Sequence, residues 1–311
     1  MMSQQACEIR NYRPSDFDGY ADLRLAAERI DRSGRCPSRQ MLRESLNRPF
    51  YDPVKDLFIA ETAGKIVGFL SITPELIAGR LLLDCLVHPE HRRQGLAKSL
   101  LERAIKRARE LPVTMIHISV LEGNAVAREA LSRLGFAEVR QFFEMSLPIS
   151  NLDLPDTPTG RLVLHHLRRG EEAGLAELQN RCFADTWGFN PNTPEEIAYA
   201  LNLSGASEKD VAILYEDDRP VGYCWTRINR VGGRATGEEK GRILMLGVDP
   251  DYRGRGIGKL ALRAGVSYLK DKGIATVELT VDSGNPAACS LYRSAGFQVL
   301  ARSLYYERQL D

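Results

Sequence analysis

The residues whose spacing carries the most chemistry are Arg253, Gly254, Arg255, Gly256, Ile257, Gly258 and Lys259, set between an apolar run at 243–248 and a helical pattern at 257–269. Glycine permits positive φ and close approach to its backbone, and the first turn of a helix offers N–H groups with no intrahelical acceptor. An anion such as a diphosphate would meet those amides and the positive end of the helix dipole. Arg253 and Arg255 add positive charge. The pattern lacks the lysine and hydroxyl of a magnesium-triphosphate loop, and its R-x-x-G-x-G spacing is not a dinucleotide fingerprint. Downstream, Tyr292 falls on a short helical pattern at 287–294. Its phenol could protonate a leaving group, or its ring could simply pack. Glu238, Glu239 and Glu278 are carboxylates of the same half that could take up a proton.

The same landmarks occur earlier in the chain. Leu86, Val87, Arg92, Arg93, Gln94, Gly95, Leu96 and Ala97 repeat the strand-to-glycine segment, and Asn124 repeats Asn285. The pairs Pro89/Pro250, Gly95/Gly256, Asn124/Asn285 and Gly135/Gly296 all lie 161 positions apart. One offset across four landmarks indicates a duplication without insertion or deletion between them. Residues 147–160 hold three prolines and a glycine among polar residues and read as a linker. The expected domains are therefore 1–150 and 159–311.

The elements that must position these residues follow one plan in both halves. In the second half, strands are expected at 161–167, 211–215, 221–228, 243–248 and 276–281, with a hairpin of 297–301 and 304–309 closing the unit. Thr193, Pro194 and Glu196 mark a helix start. In the first half, strands are expected at 57–60, 66–72, 81–87 and 114–120. The fold class is α/β, of the α+β type with a mixed sheet, formed twice.

Bulk properties bound the partners. The 311 residues suffice for two ordinary domains, and 42 basic against 41 acidic side chains give no general field for nucleic acid or an anionic membrane. Residues 1–12 are polar, which argues against a signal peptide, and no apolar run is long enough for a membrane span. The six scattered cysteines read as reduced thiols of a cytoplasmic protein, and the spacing of His88 and His91 does not suggest a metal site. A monomer or homodimer is expected.

The combined pattern resembles the GNAT superfamily, which transfers acyl groups from acyl-CoA, usually to amines. Arg253 to Gly258 match its pyrophosphate motif. Asn285, Ala288, Tyr292, Gly296 and Phe297 match its later motif, with Asn124, Ala127, Leu131, Gly135 and Phe136 as counterparts. The resemblance implies two tandem GNAT folds with acetyl-CoA as cosubstrate. It also implies that Leu246, Gly247 and Val248 bond the pantetheine arm through their backbone, that the amides of Arg253 to Lys259 hold the pyrophosphate, and that Asn285 faces the cofactor arm. Tyr292 would protonate the departing thiolate. Leu86, Val87, Arg92, Arg93, Gln94, Gly95, Leu96, Ala97 and Asn124 would form a possible second cofactor site.

The copies are not equivalent, because Leu131 cannot donate a proton where Tyr292 can. The C-terminal half is therefore the expected catalytic copy. The first half is read as a structural partner or a nonproductive CoA site, with a second enzyme using another acid as the remaining alternative. Glu278 and Glu239 are the leading candidates for the base, and the loop 229–241 reads as a substrate lid or a solvated turn. The first two helices of this half and the turn after them contain Phe183, Trp187 and Phe189, of which Trp187 and Phe189 are expected either to line an acceptor pocket or to pack the helices against the sheet. The acceptor would be an amine-bearing small molecule or peptide. The size and arrangement are also similar to the mycothiol synthases, whose C-terminal half acetylates a cysteinyl-glucosaminyl-inositol. Their base is a glutamate near the start of the cofactor strand, where this chain has Arg242. Other readings are a protein amino-terminal or small-molecule amine acetyltransferase and a noncatalytic acyl-CoA sensor or scaffold.

Overall fold

The structure, a computed structural model, describes residues 7–31, 38–149, 161–231 and 238–310. The expected linker from residue 150 onward and the centre of the loop at 229–241 lie outside them. Two compact units emerge: Met1–Val139 with Leu304–Asp311, and Arg140–Ser303.

The first unit runs β1 (Glu8–Asn11), α1 (Phe17–Asp31), α2 (Arg39–Leu46), α3 (Pro53–Asp56), β2 (Leu57–Thr62), β3 (Lys65–Glu75), β4 (Arg80–Val87), α4 (Leu96–Ala108), β5 (Met115–Leu121) and α5 (Ala125–Arg133). The next strand, β6 (Ala137–Pro148), belongs to the second unit from Arg140 onward. The second unit continues with β7 (Leu162–His166), α6 (Glu172–Phe183), α7 (Pro194–Leu201), β8 (Val211–Glu216), β9 (Arg219–Val231), β10 (Glu238–Val248), α8 (Ile257–Asp271), β11 (Thr276–Asp282), α9 (Pro286–Ser294) and β12 (Gln298–Gln309). The last residues of β12 belong to the first unit. The sheet orders are β1-β2-β3-β4-β5-β12 and β6-β11-β10-β9-β8-β7.

Period-two alternation builds the layers. On β3, Phe69 faces the cluster of Tyr20, Leu42 and Leu46 from α1 and α2, while Leu70 and Ile72 face Leu100 and Ala104 of α4. On β9, Tyr223 and Trp225 join Leu175 and Ile197 of α6 and α7, while Cys224 joins Leu262 and Val266 of α8. The α7 start is the capping box that the sequence signals: the Thr193 side chain accepts from the Glu196 amide at 3.2 Å, and the Glu196 carboxylate accepts from the Thr193 amide at 2.9 Å. A side chain at Gly265 would overlap the Cys224 sulfur, so α8 lies directly on β9 only because residue 265 has none. Gly265→Val is expected to cost about 1–3 kcal/mol through overpacking, read from urea unfolding.

Both cofactor-side strands part from their parallel neighbours. β4 pairs with β5 only from Arg80 to Leu83, and β10 pairs with β11 only from Gly241 to Ile243. The two copies differ upstream of the split. The β3/β4 register is continuous, whereas β10 slips against β9 between Ile243 and Met245, a bulge that leaves Leu244 exposed.

The end of the chain corrects one expectation. Residues 298–309 form one strand rather than a hairpin. Arg302 and Ser303 supply no turn chemistry, and buried Ser303 instead donates to Glu144 at 2.6 Å. Among the described residues, no helix is long and apolar enough to cross a membrane.

Candidate functional site

The glycine segment forms a cradle at the N-terminus of α8. Gly254 and Gly256 have φ values of +78° and +80°, and no atom lies within 4 Å of where a side chain would begin at either. Their glycine identity is therefore a demand of backbone conformation facing open space, not of packing. Gly256 is the helix cap and has no side chain to bond the first-turn amides. Arg253 ties the cradle down: its guanidinium donates to the carbonyls of Cys182 at 2.7 Å and Val248 at 3.4 Å. Arg255 packs over Tyr252, with its guanidinium 4.9 Å from the ring centroid. The exposed Lys259 follows on the first turn.

Asp249 anchors the turn before the cradle. It is 1% exposed. Its carboxylate accepts from Arg181 at 3.0 Å, the Asp251 amide at 3.1 Å and Arg219 at 3.2 Å. Burial alone would raise its pKa, but Arg181, the Asp251 amide and Arg219 outweigh burial and hold it below the usual carboxylate range. A depressed folded-state value stabilises above the unfolded pKa of about 3.9 and is lost as pH falls through the lower, folded value. Asp249→Asn should therefore lower the melting temperature at pH 7, and the deficit should shrink below about pH 3.9. Thermal scans across pH check this.

Leu246, Gly247 and Val248 lie beyond the bulge, on the stretch of β10 that has parted from β11. A Cβ at Gly247 would stand 2.7 Å from Tyr223 Cε1 and 2.8 Å from Cys182 Cβ, so this glycine lets α6 and β9 close against the strand. Asn285 caps α9, its Oδ1 accepting from the Ala288 amide at 3.0 Å, and Asn124 caps α5 in the same way at 3.1 Å. Tyr292 is 6% exposed and stacks edge-on against Phe297 at 5.7 Å. Burial, with Cys224 and Cys289 nearby, pushes its phenol well above the ordinary value, so it carries its proton throughout the neutral range. Leu131 is likewise buried in its own core.

The sequence-proposed carboxylates lie at different distances from the split. Glu278 accepts from Lys240 at 2.8 Å and sits opposite Arg242. Glu239 faces Arg230 across the β10/β9 ladder, five residues before Leu244 and so about 16 Å along the strand. Glu144 was not among the sequence candidates. It comes from β6, opposite Thr280, the first β11 residue past the last β10 pair. It accepts from Thr280 Oγ1 at 2.7 Å and Ser303 Oγ at 2.6 Å, and Arg242 lies 3.7 Å away. Arg242 therefore brings a carboxylate with it. No sequence signal placed a first-half residue here, because the repeat directs attention to residues within each half.

Trp187 also meets β6: its ring lies 6.1 Å from that of Phe142 and 5.8 Å from the Arg140 guanidinium. Phe183 packs against the core beneath α6, and the Phe189 amide closes the following turn on Thr186 at 3.1 Å. Beneath α6 and α7, both amide atoms of Gln179, the Tyr223 hydroxyl and the Trp225 indole nitrogen are buried without a partner among the described residues. Residues 179 and 223 are 0% exposed and Trp225 is 5% exposed. Buried polar atoms ordinarily find partners.

In the first copy, Gly95 caps α4 with φ +80°, but Arg93 takes φ +62° where the second copy has Gly254. A non-glycine residue there stores strain of about 1 kcal/mol. Arg92 reaches back to the Val87 carbonyl at 3.1 Å, and Gln94, Leu96 and Ala97 complete the turn into α4 beside Leu86 and Val87.

A mixed sheet that splits beside a helix-capping glycine cradle, present twice, defines an acyl-CoA-dependent transferase fold. The Acetyltransferase (GNAT) family model matches residues 23–136 and 173–297, and the chain belongs to that family. A mycothiol acetyltransferase from Stackebrandtia nassauensis is 29% identical over 262 residues, covering 83% of this chain and 84% of that protein. Another from Tsukamurella paurometabola is 30% identical over 256 residues, covering 77% and 82%. A solved tandem GNAT protein from the clavulanic acid biosynthesis pathway superposes with a TM-score of 0.72 at 18% identity, covering 98% of this chain and 99% of that one, a likeness of fold. The protein is an acyl-CoA-dependent N-acetyltransferase with acetyl-CoA as its acyl donor.

Proposed function

We propose that the second unit transfers the acetyl group of acetyl-CoA directly to a primary amine, with Tyr292 as general acid. The single observation that carries this reading is the pairing, in one unit, of the open Gly254/Gly256 cradle with a buried, protonated phenol on α9. The cradle amides and Arg255 hold the diphosphate of CoA, and the parted stretch of β10 at Leu246, Gly247 and Val248 aligns the pantetheine arm. The neutral amine attacks the thioester carbonyl. A C–N bond forms, the C–S bond breaks, and the Tyr292 proton passes to the departing sulfur. The amine proton leaves through water to a carboxylate. Glu144 lies level with Thr280, past the last β10/β11 pair, whereas Glu278 and Glu239 lie before it, and Arg242 stands 3.7 Å from its carboxylate. In parallel assays, Glu144→Gln should lower kcat about a hundredfold, Glu278→Gln much less and Glu239→Gln least. The reverse order would return the role to the Glu278–Lys240 pair. The first unit lacks the acid and serves as a noncatalytic partner.

The relatives' names favour one acceptor, the cysteinyl-pseudodisaccharide precursor of mycothiol. The test is CoA-thiol release from acetyl-CoA with a panel of that precursor, peptide amino termini and simple amines. Turnover on the precursor alone supports this acceptor, and turnover only on peptides or simple amines removes it. Acetyl-CoA binding without turnover on any amine would overturn the enzyme assignment of this unit in favour of a sensor.

A further inference from the structure

The first unit carries a cluster of charged groups that the transfer reaction does not use. It lies on the α1/α2 side of β3 and β4, where those strands approach their own split. Asp84 is the first β4 residue past the last β5 pair, and it sits opposite Ser71. Arg24, from α1, forms an ion pair with Asp84 and donates to the Tyr20 hydroxyl at 3.0 Å. Its guanidinium lies 4.6 Å from the Phe69 ring centroid. Arg48, just past α2, lies with its guanidinium 3.5 Å from the centroid of Tyr51. It donates to the Ser45 carbonyl at 2.6 Å and to Thr73 Oγ1 at 2.8 Å, while the Tyr51 hydroxyl meets Ser71 Oγ at 2.8 Å.

Two guanidiniums thus stand near one carboxylate, Asp84, which is ion-paired with Arg24. Arg48 is half-buried and makes no ion pair among the described residues. Its hydrogen-bond partners there are neutral oxygens, and the carboxylate whose field reaches it, Asp84, is ion-paired with Arg24. Burial pushes Arg48 below its ordinary value and lifts the Tyr51 phenol to about 12, so Tyr51 is neutral and supplies no counter-charge. A desolvated cation without an ion pair of its own is costly, and each guanidinium has donors left after its present bonds. Aromatic faces hold both groups in place.

The second unit is not built this way. Aligning Val87 with Val248 places Tyr223, Trp225 and Arg227 at the positions of Phe69, Ser71 and Thr73, and Met245 at the position of Asp84. The cluster is therefore particular to the first copy rather than a remnant common to both.

We propose that this cluster of the first unit is a binding site for a small anion bearing a carboxylate or phosphate, received by Arg48 with Arg24 and the hydroxyls of Tyr51 and Thr73. The site is separate from the glycine cradle at Gly95, which faces the N-terminus of α4. A ligand held here makes the first unit a binding module with its own specificity.

The test uses the full chain with CoA at saturating concentration, so that every cradle that takes CoA is filled. Succinate and inorganic phosphate are titrated separately and followed by isothermal calorimetry. Saturable binding of one or both is expected, and the probe that saturates identifies the anion class. Arg48→Gln and Thr73→Val should each weaken that binding, Arg48→Gln by at least about tenfold, the loss of one charge-assisted hydrogen bond. Acetyl transfer by both variants should stay within about twofold of the parent, which also reports that they fold. If Arg48→Gln fails to fold, Thr73→Val decides. No saturable binding of either anion, or binding unchanged in the folded variants, overturns the proposal.

Discussion

Tyr292→Phe should lower kcat for acetyl transfer by about 10²–10⁴-fold while leaving the KM for acetyl-CoA within a few fold. The phenyl ring keeps the edge-on contact with Phe297 and the volume that fills the core, so stability should change little. The variant thus separates two roles for a buried tyrosine. A packing residue would give unchanged kcat with this substitution. A general acid gives a folded enzyme that binds its donor and turns over slowly. Burial keeps the phenol protonated, so the pH–rate profile of the parent should show no Tyr292 limb below about pH 10. In Tyr292→Phe, acyl donors with a more acidic thiol should recover part of the lost rate, because a better leaving group needs less proton donation. Stopped-flow thiol release with such donors measures this.

Gly256→Val should weaken CoA binding by about 10–100-fold and cost stability as well. The φ of +80° is reached by glycine without steric penalty, while a β-branched residue pays for it. The added methyls would also project from the cap into the space where a diphosphate would meet the amides of α8. A Cβ there would meet no atom beyond the adjacent backbone, so crowding against the rest of the protein is not the expected source of a loss of affinity. Calorimetric titration with CoA and with dephosphorylated pantetheine separates the terms: only the ligand carrying the diphosphate should lose affinity strongly. Equal loss for both would point to general damage. The matching change at Gly95 tests whether the first cradle also binds CoA, by the number of sites that remain.

Much of the fold was legible because backbone conformation leaves a mark in residue type. The pair at Gly254 and Gly256, the Thr193 cap and the proline at 194 all meet local demands that a short window reveals. The bulge at Leu244 was not legible, since it depends on how β10 meets β9 rather than on any glycine or proline in the strand. The single closing strand was misread as a hairpin because 302 and 303 were judged without their partner Glu144. Tyr292 could be singled out in the sequence because its motif is local. Glu144 and the unpartnered Gln179, Tyr223 and Trp225 were missed because a strand neighbour or an absent hydrogen bond has no signature in linear order.

The assignment of residues 304–311 to the first unit and 140–148 to the second has a consequence during synthesis. The second unit begins with residues made before its own repeat starts, but the first cannot finish its sheet until the last strand has left the ribosome. At about 5–20 residues per second, the first unit waits roughly 8–30 s with the edge of β5 uncovered. A truncation placed between the repeats, however natural the boundary looks, therefore yields a nascent edge that never closes. Released alone, that fragment should be captured by chaperones or aggregate, and the two repeats should be produced only as one translation product.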